Sequence, residues 1–299
     1  MGQGGRLKPL KAAIRQIIRK LKHWLPLDPL GLARFDLLRI LVRRDLEERY
    51  KGSVLGNLWP LLNQLSQLLI FTFVFSVVLG IRLEGAKLPG NSSLEFGLWL
   101  FAGLLPWTAF TGGLSQAASS VVRQPNLVKK VVFPLSLLPL VPILSTFIES
   151  AFGMAVLIVS VALLFQKLPV TLALLPLIWL PQLLFTAGLG YLAAGLTVFL
   201  RDIPQALAVI LNLWFYLTPI VYPVDKLEKI DIVGLPNLKD LVLLFNPLAT
   251  IAEIYRDIAI SGHITHWTEW CVVLVASSLV FLGGFWVYRR LRPAFADVL

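Results

Sequence analysis

The chain reads as an all-α polytopic membrane protein. Of its 299 residues 57% are apolar and 15% charged, mean hydropathy is +0.77, and long uncharged runs recur between short charged loops. In that range the bilayer is the solvent. A backbone crossing lipid must satisfy its own polar groups, so runs of about 20 apolar residues are read as helices. Six spans are predicted, at about 58–79, 96–122, 131–166, 168–200, 199–222 and 271–288.

Residues 1–32 form a basic arm. Arg6, Lys8, Lys11, Arg15, Arg19, Lys20 and Lys22 alternate with Leu10, Ile14, Ile17, Leu21 and Trp24 at helical spacing, the pattern of an amphipathic helix lying on anionic lipid. A secretory leader would need an apolar core directly after the charges and a small-residue cleavage site; the arm offers neither. With membrane spans as neighbours, lipid is favoured over nucleic acid as its partner. A second amphipathic helix is predicted over 33–50, with Phe35, Leu38, Leu41, Val42 and Leu46 apolar and Arg39, Arg43 and Glu47 at i, i+4 on the polar side. The first span carries Trp59-Pro60 at its start and Asn63, Gln64 and Gln67 within, amides expected to face protein or a cavity.

The fifth span has Arg201 and Asp202 at one mouth and the broken, ring-rich Trp214-Phe-Tyr-Leu-Thr-Pro-Ile-Val-Tyr222 at the other. Thr218-Pro219 ends or kinks a helix there, giving a pore wall or hinge; an ordinary span with interfacial aromatics is the other reading. Between residues 232 and 260 the longest uncharged run is too short to cross and is broken by Asn246-Pro247, predicting a re-entrant or surface-lying hairpin. If both termini are cytoplasmic, 20 of the 27 lysines and arginines fall on the inner side, as the positive-inside rule requires.

Little catalytic chemistry is present. The sequence has no Gly-x-x-x-x-Gly-Lys-[Ser/Thr] loop to cradle phosphates, so the chain is not expected to hydrolyse ATP alone. One cysteine, Cys271, precludes a disulfide framework, and His263 with His266 lacks the further ligands of a metal site. Gly188, Gly190 and Gly195 lack dinucleotide spacing and suit close helix packing. Glu149 is the one carboxylate well inside a span, where either a functional role or a hydrogen-bonded structural role fits. Trp107 and Phe110 beside Pro106, and Trp214 and Tyr216 before Pro219, pair rings with helix breaks. With Trp59, and Tyr222 at the outer mouth, they are candidates for a sugar path, rings offering apolar faces that leave hydroxyls wet; interfacial anchoring is the alternative.

Taken in order, Arg49-Tyr-Lys-Gly-Ser-Val-Leu-Gly-Asn-Leu-Trp-Pro60, Phe71-Thr-Phe-Val-Phe75, Gly103-Leu-Leu-Pro-Trp107, Phe199-Leu-Arg-Asp-Ile203, Leu217-Thr-Pro-Ile-Val-Tyr222 and Asn246-Pro-Leu248 resemble the transmembrane subunit of type-2 ATP-binding-cassette polysaccharide exporters, which move lipid-linked O-antigen, teichoic acid or capsule chains. The resemblance covers about residue 34 onward. It implies a homodimer in the cytoplasmic (inner) membrane with both termini cytoplasmic, and two copies of a separate nucleotide-binding subunit that hold ATP and Mg. This chain itself would bind no cofactor. It also implies that 122–134 is similar to the family's coupling helix, with Asn126, Leu127, Lys129 and Lys130 towards the ATPase. Arg43, Glu47, Arg201 and Asp202 would form a cytoplasmic gate or interface, and the extracellular region 223–262 would narrow the exit. Two readings from other classes compete: a polyprenol-linked sugar transferase, which should carry a catalytic acid or base cluster on a loop, and a passive channel, which would not need a coupling segment.

Overall fold

The computed structural model describes residues 29–80, 93–129, 133–166, 168–229 and 237–299. The basic arm up to residue 28 and Lys130 lie outside them. Among the described residues every regular element is a helix. The amphipathic helix α1 (Pro29–Arg49) begins earlier than predicted, at a proline whose fixed φ and missing N–H suit a first helical position. After a glycine-bearing turn, α2 (Trp59–Phe71) runs on into a wider π turn at Thr72–Val78. There follow α3 (Ser93–Ser119), the short α4 (Pro125–Val128), α5 (Leu140–Phe165) and α6 (Leu175–Thr197). The remainder comprises α7 (Ile203–Leu217), α8 (Leu238–Phe245), α9 (Pro247–Arg256), α10 (Trp267–Leu291) and α11 (Phe295–Val298).

Four segments are long and apolar enough to cross a membrane: Leu94–Ser119, Leu135–Phe165, Val170–Thr197 and Trp267–Val298. The other two predicted spans are shorter apolar helices, Trp59–Phe75 and Ile203–Leu217. Helix α7 has 15 residues, a rise of about 22 Å, against a hydrocarbon core of about 30 Å. It stops because Thr218 is extended, with ψ 131°, the conformation that a following proline favours.

Helix α3 is the centre, with Leu100, Phe101 and Phe110 fully buried and α5, α6, α9, α2 and α7 packed around it. Helices α6 and α10 approach until their backbones touch. A Cβ on Gly188 would lie 2.6 Å from the Phe281 nitrogen, and one on Gly284 would overlap the Gly188 carbonyl. Lipid tails are as apolar as leucine, so such close packing, rather than exclusion from water, holds membrane helices together. Helix α9 is buried from Leu248 through Arg256, whereas Leu244 and Phe245 at the end of α8 are exposed.

Candidate functional site

The break after α7 is built into the protein by side chains from α9. With α7 ended at Leu217, the Pro219 and Ile220 carbonyls have no helical partner, and an unsatisfied carbonyl away from water is costly. Arg256 meets both: Nη1 donates to Pro219 O at 2.9 Å and Nη2 to Ile220 O at 2.7 Å. The guanidinium also pairs with Glu253 at 2.6 Å, donates to the Trp99 carbonyl and stacks 3.5 Å over the Trp99 ring. Room for it comes from Gly103 of α3, where a Cβ would lie 2.5 Å from Nη2. A second knot lies beside it. Asn246 caps α9 through the Leu248 N–H, donates to Thr218 Oγ1 at 2.9 Å and accepts from Trp214 Nε1 at 3.1 Å. A third lies at Pro106 within α3: Gln182 donates to Pro106 O at 2.9 Å and accepts from the Tyr255 hydroxyl at 2.7 Å.

The rings divide accordingly. Phe110 has no exposed surface and Trp107 has 7%; they pack with Phe185, Trp214 and Phe215. Irregular backbone at membrane depth needs protein or water beside it, and after α7 protein takes that place; α3 runs unbroken through Pro106, so the break expected there does not occur. Trp107 and Phe110 therefore face the core, not a cavity. Trp214 is half-buried and pinned by Asn246. Tyr222 is half-buried against the α8–α9 junction, its hydroxyl donating to Tyr216 O at 3.3 Å. Tyr216 and Trp59 present open surface, at 73% and 38% exposure, and Trp59 donates from its indole to Ser53.

Exposed polar stripes run along the two short apolar helices. On α2, Trp59, Asn63 and Ser66 share one face at i, i+4, i+7; on α7, Gln205, Asn212 and Tyr216 do so at i, i+7, i+11, all exposed. Amides and hydroxyls towards lipid are unfavourable, so such faces belong against a water-filled path or another chain. Gln64 instead turns into the protein, against Gly153 and Leu105.

At the opposite end, α4 and the segment after it are held from beneath. Val128 is buried with Tyr191, Tyr288 and Phe295, while the Tyr288 and Tyr191 hydroxyls donate to the Leu135 and Ser136 carbonyls at 2.8 and 2.9 Å. Asn126 and Lys129 face outwards and Leu127 is half-buried. The four residues assigned to a gate are not brought into one group. Arg43 and Glu47 form an exposed pair at 2.8 Å, whereas Arg201 and Asp202 lie exposed in the α6–α7 turn.

Glu149 has partners: Arg49 Nη1 lies 3.0 Å from Oε2, and the Tyr50 hydroxyl donates to Oε1 at 2.7 Å. Burial and this bond push the Tyr50 hydroxyl up to about 12, so it remains a donor at neutral pH. The carboxylate thus ties α1 to α5. Among the described residues no group of three or more histidine, cysteine, aspartate or glutamate side chains could hold a metal. His266 lies 3.4 Å from Asp257, whose Oδ2 also accepts from the Thr265 N–H and hydroxyl. The bond to Asp257 raises the His266 pKa against the opposing effect of burial. For Asp257, burial alone would raise the pKa, but the bonds from His266 and Thr265 together hold it below the usual value.

Sequence reasoning missed Gln182, Tyr255 and Arg256, and found no partner for Glu149. One signal was available for Arg256, which stands with Glu253 at i, i+3 inside an otherwise apolar stretch.

Relatives place these features in a known context. The chain is 27% identical to an O-antigen export system permease protein RfbA of Klebsiella pneumoniae, over 89% of this chain and 95% of that one. It is 28% identical to the protein of that name from Myxococcus xanthus, over 87% and 94%. With the polysialic acid transport protein KpsM of Escherichia coli it shares 21% identity, over 87% and 96%. The ABC-2 type transporter family matches residues 36–258, from within α1 to just past the end of α9. With three of the four long apolar helices and the short α7 inside that range, the chain is a multi-pass membrane permease and belongs to the ABC-2 type transporter family.

Proposed function

We propose that this chain is the membrane-spanning subunit of an ATP-driven exporter of lipid-linked polysaccharide, O-antigen or a related surface glycan. The observation that carries the reading is likeness to O-antigen export permeases along nearly the whole chain. The likeness to a polysialic acid transport protein favours a capsule-type polymer as the second reading. A sugar transferase is not supported, since the relatives are permeases.

In this reading two copies assemble through the exposed faces of α2 and α7. The polymer passes along the polar stripes, with Asn63, Ser66, Gln205 and Asn212 exchanging hydrogen bonds with sugar hydroxyls. Trp59 and Tyr216 offer stacking surfaces, and Tyr222 stands at the outer mouth. Trp107, Phe110 and Trp214 act from behind, by holding α7 against α3. Each stacking contact is modest, roughly 0.5–1.5 kcal/mol by analogy with aromatic pairs, which suits a path that must release as well as bind. Two ATPase subunits, carrying ATP and Mg, dock on α4 at Asn126, Leu127 and Lys129, with both termini on the cytoplasmic side of the inner membrane.

The double variant W59A/Y216A is expected to lower polymer export at equal membrane abundance while dimer assembly persists. Normal export in that variant would remove the stripes from the path. ATP hydrolysis is expected only when the partner subunit is added, and hydrolysis by the purified chain alone would sink the division of labour.

A further inference from the structure

Between α1 and the outer face of α5 lies a cleft of about 720 Å³, within the range of about 300–1,000 Å³ typical of small-molecule sites. Its walls are mainly apolar, with Leu38 and Val42 on α1 and Phe147, Ile148 and Phe152 on α5. Charged groups at its edge all come from α1, apart from Glu149. Glu149 pairs with Arg49, which also holds Asp45, and Glu47 pairs with Arg43. Among the described residues Arg39 is the lining cation without an ion pair. Pro60 of α2 also lines the cleft, but none of the stripe residues Asn63, Ser66, Gln205 and Asn212 does.

We propose that this cleft binds one anionic phospholipid of the surrounding bilayer, which fills the space between α1 and α5. Its phosphate meets the Arg39 guanidinium. An acyl chain runs along Val42, Ile148 and Phe152. The argument is charge complementarity joined to shape. An apolar cleft ending at an unpaired guanidinium matches a molecule with an apolar tail and a negative head, and long cationic side chains on interfacial helices extend towards such headgroups. A neutral lipid would fill the apolar part and leave Arg39 unmatched. Whatever the chain exports, this site is a fixture of its attachment to the membrane.

Native mass spectrometry of the full chain, delipidated and then titrated with phosphatidylglycerol or phosphatidylcholine of identical acyl chains, tests the assignment. Wild type should retain phosphatidylglycerol preferentially. Arg39→Gln should weaken phosphatidylglycerol retention about fivefold, the factor expected for one basic residue at an anionic surface, and leave phosphatidylcholine unchanged. Ala151→Phe, which fills the cleft and changes no charge, should weaken both. Thermal unfolding of each variant checks that it is folded. Wild-type phosphatidylglycerol retention in both folded variants would overturn the proposal. So would tighter binding of an isoprenoid phosphate that both variants lose, since the occupant would then be a carrier lipid and not a bilayer phospholipid.

Discussion

The two ends of this bundle solve the same problem differently. At the end carrying the α7 break, Arg256 is 2% exposed and donates to Pro219, Ile220, Trp99 and Glu253 at once. Where α1 meets the bundle, attachment runs through Arg49 and Tyr50 on Glu149, with the paired side chains 18% exposed and the cleft beside them open. A buried ion is tolerable only when nearly all its hydrogen-bonding capacity is used, and removing a partner then leaves an uncompensated charge. A partly exposed pair is screened more than a fully buried one and contributes less. The broken end of α7 is therefore the stiff part of the molecule, and the α1 attachment is the part that can be displaced at low cost.

This contrast can be broken by substitution, and the largest effect is expected at Arg256. Arg256→Met strands Glu253 and two backbone carbonyls, at a cost of about 3–5 kcal/mol; the readout is thermal unfolding or membrane abundance. Adding Glu253→Gln should recover part of the loss, because the unpaired charge is gone. A single variant with wild-type stability would show that the Arg256 knot does not hold the break. Asn246→Ala should cost less, about 1–3 kcal/mol, as the α9 cap and the bonds to Thr218 and Trp214 go together. Its particular signature would be an altered Trp214 emission.

At the other end, Glu149→Gln should cost about 1 kcal/mol or less, yet increase hydrogen exchange in α1 while leaving α9 unchanged. Equal loosening of both helices would erase the distinction between the ends. The smallest effect concerns pH near the Asp257–His266 contact. His266 has a raised pKa, so its contribution is complete below its ordinary value of about 6.5 and fades as pH rises through the raised value. Asp257 has a lowered pKa and contributes above its ordinary value, fading only as pH falls through the depressed one. Stability around the 257–266 turn should thus decline slightly as pH rises above neutrality, and His266→Gln should flatten that decline in a pH series of unfolding temperatures.

Much of the architecture is legible in the amino-acid order. Apolar runs without charge have no solution in lipid except helices, so the spans at α3, α5, α6 and α10 follow directly from length and composition. That Gly188 would let a helix approach closely was readable too, because it has no side chain to hold backbones apart; that the helix is α10 was not. The end of α7 before Pro219 was also readable, since proline restricts the residue before it and removes a donor; the break expected at Pro106 does not occur, because α3 continues through it as one helix.

What the breaks face was a question of tertiary structure. Periodicity shows which residues share a face of one helix, but not which other helix comes to cover it. Trp107 and Phe110 look like path residues along the chain and become core residues once α6 and α7 close over α3. Glu149 looks isolated until Arg49, 100 positions away, is brought to its carboxylate. Arg256 reads as one more cation in a short loop segment until folding places it against the Pro219 and Ile220 carbonyls. The chain order determined where the backbone must stop being helical; packing decided whether protein or water would satisfy the groups set free there.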